Sequence, residues 1–548
     1  MRLNSGPRIL GAWLLAMVGG CHLIVGIRDA EPYGPDAGAG GGGGEGGGTA
    51  CSPGQTRDCY SGTEQTADIG TCKSGTQTCN ADETWGTCEG EVLPAIEDCS
   101  EPEDEDCSGY GCGDTMWVQQ FGALSTVTSS GGVGVDSRTG DIYFTGTFSG
   151  SLTIGSNNLD SQGEGHVAFL AKFDRFGTPL WAKQFGILNG SNDDEAIGES
   201  VVVDGEGNVI LIGTASPMVN LGGSDLPEGV FIGKFSPSGD HIWSQGCQSD
   251  YFSGNPTAYA HGAVDPGTND VIIAGSFGVP LVPEPIVCGN AAMLTSMGGG
   301  DVFVSRLAAS DGSVMYSESF GETGADRGND VTVDAQGSIF LTGRAGDSLS
   351  FGGPPVPSYG GYIAKLASNG SHVWTMGIGS GEPLALALDA AGAIAMTGSG
   401  NDMGVLNFGG EDLAPIGIDF ELFVARLDAS GAHVWSKRFG SPGDNRSIGT
   451  DVALDSEGNV AITGYILGNV PIDGVVLAGN GDAFVARFDA GGTSVWSKTF
   501  GQPRYYSLAF SPLGELVVGG QADAAVDFGQ GIVTPIGDID LFLLKISP

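Results

Sequence analysis

One unit is written seven times along most of this chain, and the period of that repetition limits the fold more than any other property of the sequence. An aromatic-led segment recurs at Trp117 (WVQQFG), Trp181 (WAKQFG), Trp243 (WSQGC), Tyr316 (YSESFG), Trp374 (WTMGIG), Trp435 (WSKRFG) and Trp496 (WSKTFG), with a mean step of about 63 residues. Between successive aromatics lie three more apolar runs: one of VxVD type, one ending in Thr-Gly or its equivalent, and one like FVARLD. A clear copy reads Val452-Ala453-Leu454-Asp455, then Asn459 to Gly464, then Phe484 to Asp489. The runs are short and rich in Val, Ile and Phe, with turns of Gly, Asp, Asn and Ser between them, which is the chemistry of strands rather than helices. Segments such as Ser456 to Asn459 (SEGN) supply the glycine that a tight reversal needs.

Four strands in each of seven units predict an all-β fold, a seven-bladed β-propeller, with four-stranded blades packed around a central channel. The domain opens on the aromatic strand at Trp117 and ends on a strand of the FVARLD type, Leu541 to Ile546. The first strand is therefore expected to complete the last blade, closing the ring and leaving no orphan edge. Over residues 115 to 548 the tandem pattern VxVDxxGNxxxTG…DxFVxKxDxxGxxxWxKxFG resembles the bacterial seven-bladed propeller repeat family (SBBP). Asp428-Ala429-Ser430-Gly431 to Trp435 is also loosely similar to the quinoprotein-type repeat, in which such a segment packs blade on blade.

Each FVARLD-type strand carries one basic residue at an equivalent place: Lys172, Lys234, Arg306, Lys365, Arg426, Arg487 and Lys545. The VxVD-type strands end in Asp136, Asp204, Asp265, Asp334, Asp389 and Asp455, with Ser511 in the seventh place. A pair repeated in every blade predicts a structural charge contact, since a binding site would be concentrated in one place. The aromatics of the outer strands read likewise as packing between blades.

Ahead of the repeats stand three different segments. Arg2 and Arg8 flank an apolar run, Ile9 to Val18, that is too short to cross a bilayer and reads as a signal peptide over residues 1–20. The run ends in Val18-Gly19-Gly20-Cys21, which resembles the lipobox of bacterial lipoproteins; the resemblance implies lipid attachment at Cys21 and a membrane anchor at the outer membrane or cell surface. Gly34 to Ala50 is a glycine-rich tether, so that residues 21–50 hold the rest of the chain off the membrane. Residues 51–113 hold eight of the 11 cysteines but few large apolar side chains, and predict a module held by four disulfides of undetermined connectivity. Zinc is disfavoured there by the export signal and by the lack of paired CxxC knuckles. The acidic segment Glu97 to Gly109, pinned by Cys99 and Cys107, resembles the cysteine-bounded metal-binding motif of surface proteins in myxobacteria and similar bacteria. That resemblance implies Ca²⁺ as a candidate ligand of Glu97, Asp98, Glu101, Glu103, Asp104 and Asp106, although Ser-Glu and Ser-Gly depart from the motif. The competing expectation is a solvated acidic linker. The two remaining cysteines, Cys247 and Cys288, are expected to form a disulfide within the propeller, residues 114–548.

A net charge of −43, from Lys+Arg 22 against Asp+Glu 65, disfavours nucleic acid and anionic lipid as partners. No triad ordering or HExxH pattern stands out among the six histidines. His241, His372 and His433 are repeat positions just before the aromatic, expected to be exposed on strands, while His166 and His261 are isolated. Gly346-Asp347-Ser348-Leu349 spells a GDSL-hydrolase signature, yet it aligns inside the repeats with Ser149 to Leu152 and no helix follows. The long connections between second and third strands, such as Phe148 to Gly165, Phe277 to Gly300 and Ser399 to Ile418, are where variable binding loops are expected, even though they share segments such as LTIG, LSFGG and LNFGG. The expectation is a monomeric, non-catalytic, surface-anchored binding, adhesion or scaffold module for a protein or glycan ligand. The alternative is a Ca²⁺-assisted extracellular lyase or hydrolase, marked by carboxylates and a His or Lys converging at the channel mouth.

Overall fold

The computed structural model describes residues 51–548 except 63–65, 96–98, 100–102, 106, 123–127, 164, 187–194, 250, 253–254, 257, 279–283, 402–403, 443–445 and 502. Cys21 and the tether therefore lie outside the described residues. Among the described residues every regular element of the repeat region is a strand; these form seven four-stranded antiparallel blades, the second extended by a short hairpin, with three further two-stranded hairpins in the connections. The inner strands are Thr128–Val135, Glu195–Val203, Ala258–Val264, Arg327–Val333, Gly381–Leu388, Arg446–Leu454 and Pro503–Phe510, defining blades 1 to 7. Each packs on the next, and the seventh packs on the first, so the ring is closed.

Closure follows the predicted route. Thr115–Phe121 pairs antiparallel with Asp540–Ile546, from Thr115 opposite Ile546 to Phe121 opposite Leu541, and becomes the outer strand of blade 7. Apolar residues of successive blades share a core that runs between the sheets. One cluster joins Phe121, Phe144, Phe169, Val517 and Leu543 from blades 7 and 1, and another joins Val424, Trp435, Ile462 and Phe484 from blades 5 and 6.

The repeated charges pair within each blade, tying the end of the inner strand to the third strand. Lys234 Nζ lies 2.8 Å from Asp204, and Lys365 Nζ 2.9 Å from Asp334; Arg306, Arg426 and Arg487 pair with Asp265, Asp389 and Asp455. Blades 1 and 7 differ: Lys172 pairs with Asp141 while Arg138 takes Asp136, and Lys545 pairs with Glu515, which also accepts from the Ser511 hydroxyl. In blades 1, 2 and 5 the basic group also donates to a turn carbonyl of the following blade, as does the tryptophan beside it. Lys234 Nζ and Trp243 Nε1 both reach Ala309 O, at 3.1 and 3.0 Å, and Lys172 and Trp181 both reach Pro237 O. The turn glycine lies flat against that indole; a Cβ on Gly492 would come within 2.6 Å of Trp435. At the seam the turn is assembled from two distant pieces of chain: Trp496 Nε1 donates to Pro548 O, Gly113 N donates to the same carbonyl, and Gly113 fills the glycine position.

The N-terminal module pairs Thr56–Cys59 with Gly75–Thr78 and carries disulfides Cys51–Cys79, Cys59–Cys88, Cys72–Cys107 and Cys99–Cys112. In the propeller a disulfide joins Cys247 at the end of the outer strand of blade 2 to Cys288, tying in the extra hairpin.

Candidate functional site

Antiparallel strand order brings two sets of connections to one side of the ring: those between second and third strands, and those from each outer strand to the next inner strand. The first set is longer, and each of these loops has two halves with different roles. In the leading half the recurring segments are core. Leu152, Ile154, Leu349, Phe351, Leu406, Phe408, Val526 and Phe528 are all at most 2% exposed. Phe351 sits 4.9 Å from Phe320 of the preceding blade and 5.0 Å from Tyr362, and Phe528 sits likewise between Phe500 and Phe542. These segments are straps that fill the outer groove between blades.

The histidines before the aromatics do open the outer strands, but they pack against the same straps, which corrects the expectation that they are exposed. His372 and His433 are half-buried, with Nε2 at 3.0 Å from Thr375 Oγ1 and from Ser436 Oγ. The glycine pairs Gly352-Gly353 and Gly409-Gly410 lie against the imidazoles, and a Cβ on Gly353 or Gly410 would collide with them. His241 faces Gly222-Gly223 in the same way, and burial lowers its pKa.

The returning half of each loop is clamped by an acid at the start of the third strand in blades 3, 5 and 7. Asp301 accepts from Met297 N at 2.8 Å; Glu421 accepts from Ile416 N at 2.8 Å and from Gly417 N; Asp540 accepts from Ile536 N at 2.7 Å and Gly537 N at 3.0 Å. The turns so formed display large apolar side chains: Met297 is 65% exposed, Ile418 67% and Ile536 54%, with Tyr359 of blade 4 at 69%. The clamping carboxylate occupies room left by the glycine that follows the outer strand, at Gly321, Gly440 and Gly122.

Inside the ring, the inner strands bring a second set of groups together. Asp330 of blade 4 accepts from Val331 N and from Leu386 N of blade 5, both at 2.8 Å. Asp451 of blade 6 does the same with Val452 N and Leu508 N of blade 7, at 2.8 and 2.9 Å. Glu199 of blade 2 accepts from Thr214 Oγ1 and from the backbone of Ala260 in blade 3. Each acid thus clips one blade to the next at the bulge of an inner strand, or beside it. Burial pushes Glu199 and Asp330 up to about 7 and Asp451 up to about 6. His261 of blade 3 is surrounded by the ring, which lowers its pKa, yet its side chain remains 48% open to solvent in the channel. Its Nδ1 stands 3.7 Å from Asp330 Oδ1, an ion-pair distance rather than a hydrogen bond. Sequence reading missed this grouping, because His261, Asp330 and Asp451 come from different repeats and only the closed ring makes them neighbours.

In the acidic loop of the N-terminal module, Asp104 is engaged by the backbone amides of Ser108 and Gly109, at 3.1 and 2.9 Å, and Glu103 is exposed. Glu97, Asp98, Glu101 and Asp106 lie outside the described residues. Among the described residues, no three His, Cys, Asp or Glu side chains are grouped so as to hold a metal ion, and no helix is long and apolar enough to cross a membrane.

Among solved structures the chain is similar to the WD40 repeats of RRP9, at 11% identity and a TM-score of 0.44, over 79% of this chain and 99% of that one. It is also similar to a gluconolactonase from Xanthomonas campestris, at 12% identity and a TM-score of 0.30, over 83% and 98%. A luciferin-regenerating enzyme matches at 12% identity and a TM-score of 0.30, over 79% and 95%. No protein-family model and no curated protein matches the chain.

Proposed function

We propose that this chain is a non-catalytic binding module, held at a membrane by a lipid on Cys21, whose loop side presents a rigid ring to another macromolecule. The observation that carries this reading is the row of exposed apolar side chains at the same side of blades 3, 4, 5 and 7: Met297, Ile418 and Ile536 on acid-clamped turns, and Tyr359 on the corresponding loop of blade 4. Large apolar groups fixed on a scaffold favour a protein partner, because docking removes them from water without having to order them first. The charge of −43 favours a partner with a basic rim and opposes nucleic acid. Five disulfides fit an oxidising, extracellular setting.

The channel groups are the feature that favours the enzymatic alternative. Against it, Asp330 and Asp451 are already occupied by amides of the neighbouring blade, in equivalent positions, which is a structural arrangement.

A protein and glycan array probed with the exported chain tests the reading. The variant Met297→Glu/Ile418→Glu/Ile536→Glu should lose the bound partner and keep the unfolding temperature. Undiminished binding refutes the loop side as the docking surface, and turnover of an arrayed glycan that is lost in His261→Ala supports the enzyme instead. Cys21→Ser should move the protein to the soluble exported fraction; retention in membranes overturns the anchor.

A further inference from the structure

The three clamping acids share a position but not a neighbourhood. Glu421 is neutralised by Arg438, whose Nε stands 2.5 Å from Oε2, with both side chains at most 2% exposed. Asp540 receives two backbone amides and the Gln120 side-chain amide at 2.6 Å. Arg438 and Gln120 occupy the same register of the outer strand, opposite Phe423 and Phe542. In blade 3 that register, opposite Phe303, holds Ser319, which carries no such cationic or amide group.

Asp301 is consequently a carboxylate of 1% exposure with one amide donor, from Met297, on Oδ2, and, among the described residues, no donor on Oδ1. Its surroundings make this worse. Asp326, in the link to blade 4, is also 1% exposed and interacts with it electrostatically, as does Glu322. Asp326 binds Glu322 N at 3.2 Å and Gly346 N at 2.8 Å. Oδ1 of Asp301 lies at Gly321, the residue before Glu322, so the two carboxylates flank one turn of the chain. The backbone Gly298-Gly299-Gly300 runs against Thr323 to Asp326, with Gly299 N donating to Gly324 O and Asp326 N to Gly300 O. Two carboxylates without a counter-charge are unfavourable at such burial, and carboxylate and carbonyl oxygens are what a hard divalent cation takes up.

We infer that Asp301 and Asp326 hold a divalent cation of the calcium class at the junction of blades 3 and 4, standing in for the charge that Arg438 supplies in blade 5. The two carboxylates supply the charge, and backbone carbonyls and water complete the oxygen shell; no third acidic side chain is required. The site is separate from the acidic loop of the N-terminal module, and it does not rest on the binding role proposed above. Its effect is to fix the turn that carries Met297.

The full exported chain, freed of divalent ions with EDTA, would be titrated with CaCl₂ by calorimetry and followed by thermal unfolding at pH 7. Expected is a calcium-dependent rise in unfolding temperature. Asp301→Asn should abolish it, or remove one equivalent of bound calcium if the acidic loop also binds. Ser319→Arg rebuilds the blade 5 arrangement and should raise the unfolding temperature without calcium while removing the same increment. A wild-type chain indifferent to calcium, or a calcium response that is undiminished in whichever of these variants folds, overturns the inference. Stabilisation by Asp301→Asn in a wild type that ignores calcium would show that the acids share a proton.

Discussion

Replacing Arg438 by Met removes one cation from the interior of blade 5 and leaves its partner behind. Glu421 is then a carboxylate at 1% side-chain exposure, held only by the amides of Ile416 and Gly417. Stranding a buried charge in this way costs about 3–5 kcal/mol. Arg438 also donates to Gly404 O, Leu413 O and Asn401 O, which fastens the blade 5 strap. Each such bond contributes about 1 kcal/mol net, and less where water replaces the donor, so the expected total is about 4–6 kcal/mol. Set against a domain stability of about 5–15 kcal/mol, this is a large loss. Guanidinium unfolding, followed by tryptophan fluorescence, measures it. Arg438→Met/Glu421→Gln removes the stranded charge and should recover about half of the loss, so the pair is strongly non-additive. A single-variant cost under about 1 kcal/mol, or a double variant no better than the single, would refute the view that the clamp depends on charge neutralisation.

Three further outcomes follow from the ring. Glu199, Asp330 and Asp451 are raised to about 7, 7 and 6, so the folded chain holds protons that the unfolded chain releases. Their stabilisation is complete below the ordinary carboxyl range and is lost as pH climbs through the folded values. His261, lowered by burial, acts oppositely only below about pH 6.5. The unfolding temperature should therefore fall from pH 6.5 to 8, and Asp330→Asn should flatten the fall; a rise over that range contradicts the burial of these acids. Cys247→Ala/Cys288→Ala opens a loop of sequence separation 41 and is expected to cost about 4 kcal/mol by loop-closure entropy, read from denaturant midpoints. Gly410→Ala drives a methyl into the His433 ring and should destabilise by about 1–3 kcal/mol, with His433→Ala relieving most of it; equal losses in the presence and absence of the histidine would show that the contact is not the cause.

How far the sequence disclosed this structure depended on whether a feature recurs within the period. The seven aromatics and the Lys234–Asp204 type of pair recur at fixed offsets, so their register and their structural role could be read directly. The substitutions in blades 1 and 7 could not, because Asp141 and Glu515 reach the same place from a different residue of the turn. The LSFGG and LNFGG segments were visible as repeats but not as straps, since nothing in a linear pattern says that Phe351 returns to Phe320 of the previous blade. Disulfide connectivity in the N-terminal module was equally closed to spacing arguments. The channel grouping of His261, Asp330 and Asp451 required the ring itself. The anomaly at Asp301, by contrast, was written in the alignment of YSESFG with WSKRFG and WVQQFG, and needed only the structure to show that the differing residue faces a buried acid.

The seam at blade 7 has a mechanical consequence. The module and anything attached ahead of it are joined to the ring through Gly113 and the strand Thr115–Phe121, which completes the last blade from outside. Tension from that direction would load this clasp before any other blade, so the ring should give way there first, by release of one peripheral ribbon that takes Phe121 out of the core shared with blade 1.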